Sequence, residues 1–247
     1  MMLENYYIGT YWSNRKESTE ECAERAIHLL DDLAHLDEVF ARWFQKGWSL
    51  KEALRHEVQR DREGLRQLLD KGRSRRDDNR AVIEELGFRI GIWNGRSDSD
   101  EAASFGLNCG CYASTPKVWV PNSCVINLPS NGPAAERLIR VDVLTSLLRD
   151  VVTATEPDWG VVGSSEHLVL APKTPPGVPR ISWITYLSAS YGKLPELSPS
   201  RVVDLDGMGS LIIATDQRFT ASNPEHVAAA ERIRSALDRA RLLRRLR

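Results

Sequence analysis

The sequence has no apolar run near the ~20 residues that a membrane-spanning helix needs. Its start lacks the basic segment and long apolar stretch of a secretory signal peptide. Neither sign of charge dominates, because 33 basic residues stand against 34 acidic ones and the formal net charge is −1. This balance argues against a general polyanion binder and against a strongly acidic nucleic-acid mimic. We therefore expect a cytoplasmic protein with no membrane partner.

Cysteine is scarce in this chain of 247 residues. Cys22, Cys109, Cys111 and Cys124 are too few for a disulfide framework, and in a reducing compartment they fit small buried residues. Cys109 and Cys111 would point to the same face of a strand. Zinc sites normally combine a C-x₂₋₄-C pair with a second ligand pair, and the sequence has neither. We predict no metal site.

Catalytic motifs are also missing. The sequence has no G-x-S-x-G elbow, no G-x-x-x-x-G-K-[ST] phosphate loop and no H-E-x-x-H. The short glycine pattern at residues 207–209 lacks the third glycine and the helix of a dinucleotide site. Asp158 and Glu166 are a weak match to a metal-dependent nuclease, because Leu168 stands where such a site needs lysine. We predict no catalytic residue and no cofactor, with a hydrolase built from scattered carboxylates as the alternative.

The N-terminal region predicts a strand followed by a helix. Residues 6–12 alternate aromatic or β-branched side chains with small or polar ones, as strands do. Ser18 and Glu21 match the capping box, so a helix is expected over about 19–35. Residues 15–38 hold three basic and eight acidic side chains, a net of −5. Such a run is usually only a solvated face, but it is the most acidic surface that the sequence offers.

The middle of the chain predicts short helices and an antiparallel meander. Residues 38–44 are expected to form a strand that closes a β-α-β unit with the first strand, and 49–69 to form helix in two pieces. The segment 71–80 is charged and has no apolar residue, so we expect an exposed loop prone to disorder. Four further strands are predicted at residues 87–93, 102–113, 118–120 and 124–128.

The second half predicts a buried central helix and a closing strand and helix. The central helix is expected over 131–155, with a wide apolar face. Further strands are predicted at residues 159–163, 181–187, 202–203 and 210–215. Asn223, Pro224 and Glu225 then match a helix start. The sequence thus predicts one α+β domain over 1–247, whose mixed, largely antiparallel sheet is packed by N-terminal, central and C-terminal helices.

Arginine is concentrated at the end of the chain. Residues 232–247 contain seven arginines and one acidic residue, Asp238, which gives a net of +6. Arginines are favoured at a helix C-terminus by the helix dipole, and a nucleic-acid arm would need interleaved aromatics or a recognised module. We therefore predict no nucleic-acid partner, and leave open a contact with an acidic partner or a solubilising end.

Several segments together resemble the bacterial immunity protein 52 family. They are Tyr6–Trp12 with Glu17, Ser18 and Glu21–Ala23, then residues 183–188 (WITYLS), 192–195 (GKLP), 209–219 (GSLIIATDQRF) and 223–227 (NPEHV). They occur in the family's order along nearly the whole chain. None is a catalytic motif, so the resemblance is carried by their combination.

The resemblance implies a non-catalytic antidote in a bacterial polymorphic toxin system, including systems that use type VI secretion. The partner would be a cognate toxin, expected to be a nuclease of the restriction-endonuclease type, neutralised by tight binding in the cytoplasm. A toxin that binds DNA needs a basic cleft for the phosphate backbone. We therefore expect the acidic face of the first helix to bind it, through Glu21, Glu24, Asp31 and Asp32. Aromatic anchors are expected at Trp48, Trp119 or Trp159 where these are exposed.

Overall fold

An antiparallel sheet runs through the described chain, which comprises residues 4–96, 101–113 and 122–245 in this computed structural model. Its nine described strands are β1 (Tyr6–Trp12), β2 (Phe44–Gln45), β3 (Phe88–Trp93), β4 (Ser104–Cys109), β5 (Asn122–Asn127), β6 (Trp159–Ser164), β7 (Ile184–Ser188), β8 (Arg201–Asp204) and β9 (Gly209–Ile213). They lie in the order β2-β3-β4-β5-β1-β6-β7-β9-β8. β1 is central, because Ile8 faces Ile126 of β5 on one side and Val162 of β6 on the other.

Helices cover both faces of this sheet. The seven described α-helices are α1 (Thr19–Leu36), α2 (Leu50–Ala53), α3 (Arg62–Lys71), α4 (Gly132–Leu138), α5 (Val141–Thr155), α6 (Ser165–Leu170) and α7 (Pro224–Arg239). Alternate side chains of a strand point to opposite faces. Ile8 accordingly joins the apolar cluster under α1 and α5, and Tyr7 joins the cluster under α7. The predicted α+β class, with N-terminal, central and C-terminal helices on the sheet, is confirmed.

Helix α1 begins where its capping box predicts. The Glu21 N–H donates to Ser18 Oγ at 3.2 Å, and the Ser18 N–H donates to the Glu21 carboxylate at 2.7 Å. Both donors would otherwise lack a partner at the helix start. The predicted buried stripe is largely correct, since Ala23, Ala26, Leu30 and Leu33 are buried. Two predicted members, Ile27 and Ala34, are only partly buried, and Cys22 and Leu29 take their place in the core.

The strand predicted at residues 38–44, and with it the β-α-β unit, is wrong. Asp37 ends α1 in an extended conformation, and its carboxylate accepts the Val39 N–H at 3.0 Å, which starts a short 3₁₀ turn over Glu38–Phe40. Arg137 of α4 also donates to this carboxylate at 2.8 Å. The chain is therefore turned away from β1, and only Phe44–Gln45 pairs, at the sheet edge with β3.

Two other predicted elements have different bounds in the structure, and one short helix was not predicted. The helix expected over 131–155 is broken at Ile139 and Arg140, which leave the helical conformation between α4 and α5. The strand expected over 102–113 ends at Cys109, because Gly110 adopts a positive φ of 71°. Helix α6 was not predicted, since its six residues are too short for a periodic signal. The strand expected at 118–120 lies outside the described residues.

Candidate functional site

A groove of about 500 Å³ lies between α1 and α5, on the helical face above the centre of the sheet. Its lining is mostly polar and comprises Glu21, Glu24, Arg25, His28, Asp32, Asp150, Thr153 and Ala154. Three of the four carboxylates predicted to bind a toxin, Glu21, Glu24 and Asp32, line it, and the fourth, Asp31, does not. The structure therefore divides the predicted acidic face into parts with different neighbours.

Glu21 is both a groove residue and a structural one. Its carboxylate accepts hydrogen bonds from the backbone N–H and the hydroxyl of Ser18, at 2.7 and 2.9 Å. These hydrogen bonds lower the pKa of Glu21 below its usual range, so the group stays charged. Its charge is thus available to a partner, but a substitution at Glu21 would also remove a helix cap.

Glu24 and Asp31 are half-exposed and each pairs with an arginine near the start of α3. Arg62 lies 2.5 Å from Glu24, and Arg60 lies 3.6 Å from Asp31. Arg60, just before α3, and Arg62, its first residue, thus place two guanidinium groups along this flank of α1. They offset charges that the sequence presents as a continuous acidic face. Exposed pairs of this kind are weak, at about 0–1 kcal/mol each, and can exchange partners.

The opposite flank of α1 keeps its negative charge. Asp32 is exposed, and Asp150 of α5 stands half-buried across the groove from it. Burial and the charge of Asp32 raise the pKa of the Asp150 carboxyl. Neither carboxylate forms an ion pair within the ranges 4–96, 101–113 and 122–245. The groove therefore holds two close negative charges that a cationic group from a partner would neutralise.

The groove floor is fixed by a buried ion pair. The guanidinium of Arg25 donates to the carbonyl of Ala154 at 2.9 Å and pairs with the carboxylate of Glu17. Glu17 also accepts the N–H of Gly110 at 3.0 Å. These contacts join α1, the end of α5 and the end of β4, so both walls of the groove have a defined spacing.

The weak nuclease pattern of Asp158 and Glu166 does not come together. Asp158 precedes β6 and accepts the N–H of Ser13 at 2.7 Å. Glu166 follows β6 and accepts the N–H of Asn5 at 3.0 Å. The six residues of β6 separate the two carboxylates by roughly 20 Å at ~3.3 Å per residue. Each carboxylate instead accepts a backbone N–H that flanks one end of β1, Ser13 at one end and Asn5 at the other.

A serine and a histidine meet inside the fold, in the arrangement of a nucleophile and a base. Ser182 Oγ lies 2.9 Å from His167 Nδ1. Ser182 is 0% exposed, so no substrate carbonyl reaches its hydroxyl. Burial also lowers the pKa of His167, which keeps the ring neutral. We interpret this pair as a satisfied polar contact in the core.

The neutral state of His167 makes stability depend on pH. Because its pKa is lower in the folded than in the unfolded chain, the unfolded chain binds the proton first as the pH falls below about 6.5. Stability is therefore expected to decrease with falling pH from that point until the folded pKa is reached, by at most ~1.4 kcal/mol per pH unit. His167→Gln should flatten this slope in urea unfolding between pH 7.5 and 5, with exposed His56→Gln as the control. Equal slopes for wild type and His167→Gln would contradict this assignment.

The cysteines and the tryptophans differ in how far they are buried. All four cysteines are buried and unpaired, and no group of three His, Cys, Asp or Glu residues in the described part of the chain is placed to hold a metal.

Trp159 is buried and stacks on Tyr11 at 4.3 Å between ring centroids. Trp48 is 99% exposed. Trp119 lies outside the described residues.

The arginine-rich end is partly folded back on the protein. Arg234 pairs with Glu231 on α7, and Arg244 packs over the ring of Tyr191 at 5.7 Å. Arg232 and Arg239 are exposed along α7.

None of the described helices is long and apolar enough to cross a membrane.

Comparison with known proteins places the chain in a family. No curated protein matches it. A solved structure of a T6SS protein from Pseudomonas aeruginosa is similar, with a TM-score of 0.60 and 16% sequence identity, and the match covers 98% of this chain and 76% of that one. At this identity the likeness concerns the fold. The family model described as Immunity protein 52 matches residues 4–246. The chain therefore belongs to the Immunity protein 52 family.

Proposed function

We propose that this protein is a non-catalytic immunity protein that binds a cognate toxin in the cytoplasm and neutralises it. The family match over residues 4–246 carries this proposal. The toxin proposed is a nuclease effector of the restriction-endonuclease type, delivered by type VI secretion. Neutralisation needs no chemical step, because occupying the toxin's active site or distorting it is sufficient.

The groove between α1 and α5 supports a nuclease as the partner. An enzyme that holds DNA presents a basic cleft to the phosphate backbone. Asp32 and Asp150 would present to such a cleft two charges that form no ion pair within the described residues. Glu21 adds a third charge at the same opening. A negative groove of this kind attracts a basic cleft and speeds association, and the effect weakens as salt is added.

Glu24 and Asp31 have a secondary place in this interface. Both are already paired with arginines, Asp31 with Arg60 before α3 and Glu24 with Arg62 at its start. Binding through them requires either breaking these exposed pairs, at a cost of about 0–1 kcal/mol each, or including the two arginines in the contact. We propose Asp32 and Asp150 as the main electrostatic contacts, Glu21 beside them, and Glu24 and Asp31 at the margin.

Co-expression with the toxin encoded beside this protein tests the proposal. We expect restored growth and a complex that co-purifies. Titration of purified protein into a DNA-cleavage assay should end cleavage near one molecule per toxin, because a binder acts stoichiometrically. Full toxicity without a complex would overturn the proposal. Complete protection far below equimolar amounts would instead support the alternative, an enzyme that inactivates its target by turnover.

A further inference from the structure

The loop between β2 and α2 carries an exposed tryptophan. Trp48 is 99% exposed, and the neighbouring Leu50 and Leu54 are also exposed. We call these three residues the Trp48 knob. Isolated exposed apolar residues are common, but a fully exposed tryptophan beside two exposed leucines is unusual outside a binding surface.

The backbone beneath the knob is held in place. Ser49 Oγ accepts the N–H of Glu52 at 3.2 Å, and the Glu52 carboxylate accepts the N–H of Trp48 at 2.8 Å. The apolar residue before such a cap commonly packs on the fourth residue of the helix, which here is Ala53. Ala53 is buried, while Trp48 faces solvent. The indole is therefore presented outward from an anchored turn.

The rim of the knob is positively charged. Lys46, Lys51 and Arg55 are exposed, and none forms an ion pair with any described residue. The nearest acidic residue in sequence, Glu52, is bonded to the backbone of Trp48. The knob thus differs in charge from the groove between α1 and α5, although both surfaces hold charges without partners.

We propose that the Trp48 knob is a second contact for the toxin, and that it fills an apolar pocket edged by carboxylates. This inference rests on the proposed function. Tryptophan is enriched among the few interface residues that dominate binding energy. The three cations of the rim would face acidic groups on the partner, and such complementarity favours the correct orientation.

A second copy of this chain is the less favourable occupant. The cationic rim would be attracted to the acidic α1–α5 groove, so the knob of one copy would enter the groove of the next. Seven of the eight residues that line this groove are charged or polar, so it does not match the indole of Trp48 as an apolar pocket would. β2 lies four strands from β1, or roughly 20 Å at ~4.8 Å per strand. One toxin molecule can therefore contact the knob and the groove as separate parts of one interface.

Binding kinetics with a catalytically inactive form of the toxin test this inference. Trp48→Ala is expected to weaken affinity by about 30-fold, mostly through faster dissociation. The thermal midpoint should not change, because the side chain is exposed. Val169→Ala is the matched control, since Val169 is 84% exposed on α6, and it should bind within about twofold of wild type. Lys51→Glu with Arg55→Glu should slow association in low salt.

The outcomes separate the two proposals. If wild type binds the toxin and Trp48→Ala binds equally well, the knob is not a contact and the proposed function still holds. If wild type does not bind, both fail. If Trp48→Ala abolishes a concentration-dependent self-association of wild type, measured by sedimentation, but leaves toxin affinity unchanged, the knob joins copies of this chain and the inference is wrong.

Discussion

Glu17→Ala is expected to lower the free energy of unfolding by about 3–5 kcal/mol. The Glu17 side chain is 5% exposed, and that of its partner Arg25 is 13% exposed. Removing the carboxylate leaves a buried guanidinium charge without compensation, which costs more than the ion pair itself contributes. The Gly110 N–H also loses its acceptor. Few other single substitutions outside the apolar core should have an effect of this size.

Urea denaturation at pH 7 measures this loss, and an exposed neighbour provides the control. Glu20→Ala removes a carboxylate three residues away, but the contact of Glu20 with Arg66 is 3.8 Å long and exposed. The expected change for Glu20→Ala is within about 1 kcal/mol. Glu17→Gln should lie between the two, because the amide retains an acceptor for Gly110 but not the charge. A loss below ~1 kcal/mol for Glu17→Ala would show that Arg25 finds water or another partner.

Ser18 and Glu17 show which kinds of contact can be predicted from a sequence. The capping box of Ser18 and Glu21 is local, so its residue types and spacing predict both the helix start and the hydrogen bonds. Glu17 pairs with Arg15 and Arg25, and it accepts the N–H of Gly110, which is 93 positions away. No period or spacing relates such residues. In the sequence, Glu17 is singled out only by the family resemblance.

The strand error at residues 38–44 has the same physical origin. The segment has the composition of a strand, and Phe40 and Trp43 are indeed buried. Its path is set by Asp37, which is held by Arg137 at a separation of 100 residues. Strand propensity describes whether side chains fit a half-buried surface, and a buried turn satisfies the same condition. The elements with long periodic patterns, α1, α5 and α7, were therefore predicted more reliably than short edge elements.

The candidate site was predicted in part for a similar reason. Helical spacing correctly placed Glu24, Asp31 and Asp32 on the outer side of α1, but tertiary packing decided which of them stay unpaired. Arg60 and Arg62 offset two of these charges, and Asp150 adds one from another helix. The exposure of Trp48 was equally beyond sequence reasoning, because Trp48 and the buried Trp159 have the same residue type and no distinguishing pattern.

Reversing both groove charges, with Asp32→Lys and Asp150→Lys together, is expected to slow association with the toxin at least tenfold in low salt. The cationic groups of the toxin would then meet two positive charges in the place where two unpaired carboxylates stand. Stopped-flow or surface-based kinetics at two salt concentrations measure the effect. The difference in association rate between the variant and the wild type should shrink as salt is raised, because salt screens the charges of both proteins.

The paired flank of α1 supplies a control with the same change in net charge. Glu24→Lys with Asp31→Lys alters the charge by the same amount, but it does so beside Arg62 and Arg60, which already offset that region. A smaller change in the association rate is expected. Equal slowing by both double variants would mean that only net charge steers the toxin, and no change in either would refute the electrostatic interface.

The free energy of unfolding distinguishes the two flanks of α1 without any measurement on the toxin. The pKa of Asp150 is raised in the folded state, so ionising this group opposes folding, and that unfavourable contribution appears as the pH rises through the window above the unfolded value of about 3.9. Asp150→Asn should therefore leave stability at pH 7 unchanged or slightly higher. Glu24→Lys places a like charge against Arg62 and should lower it. A carboxylate such as Asp150, whose ionisation opposes folding and which forms no ion pair within the described chain, is expected where binding is served at a cost to stability.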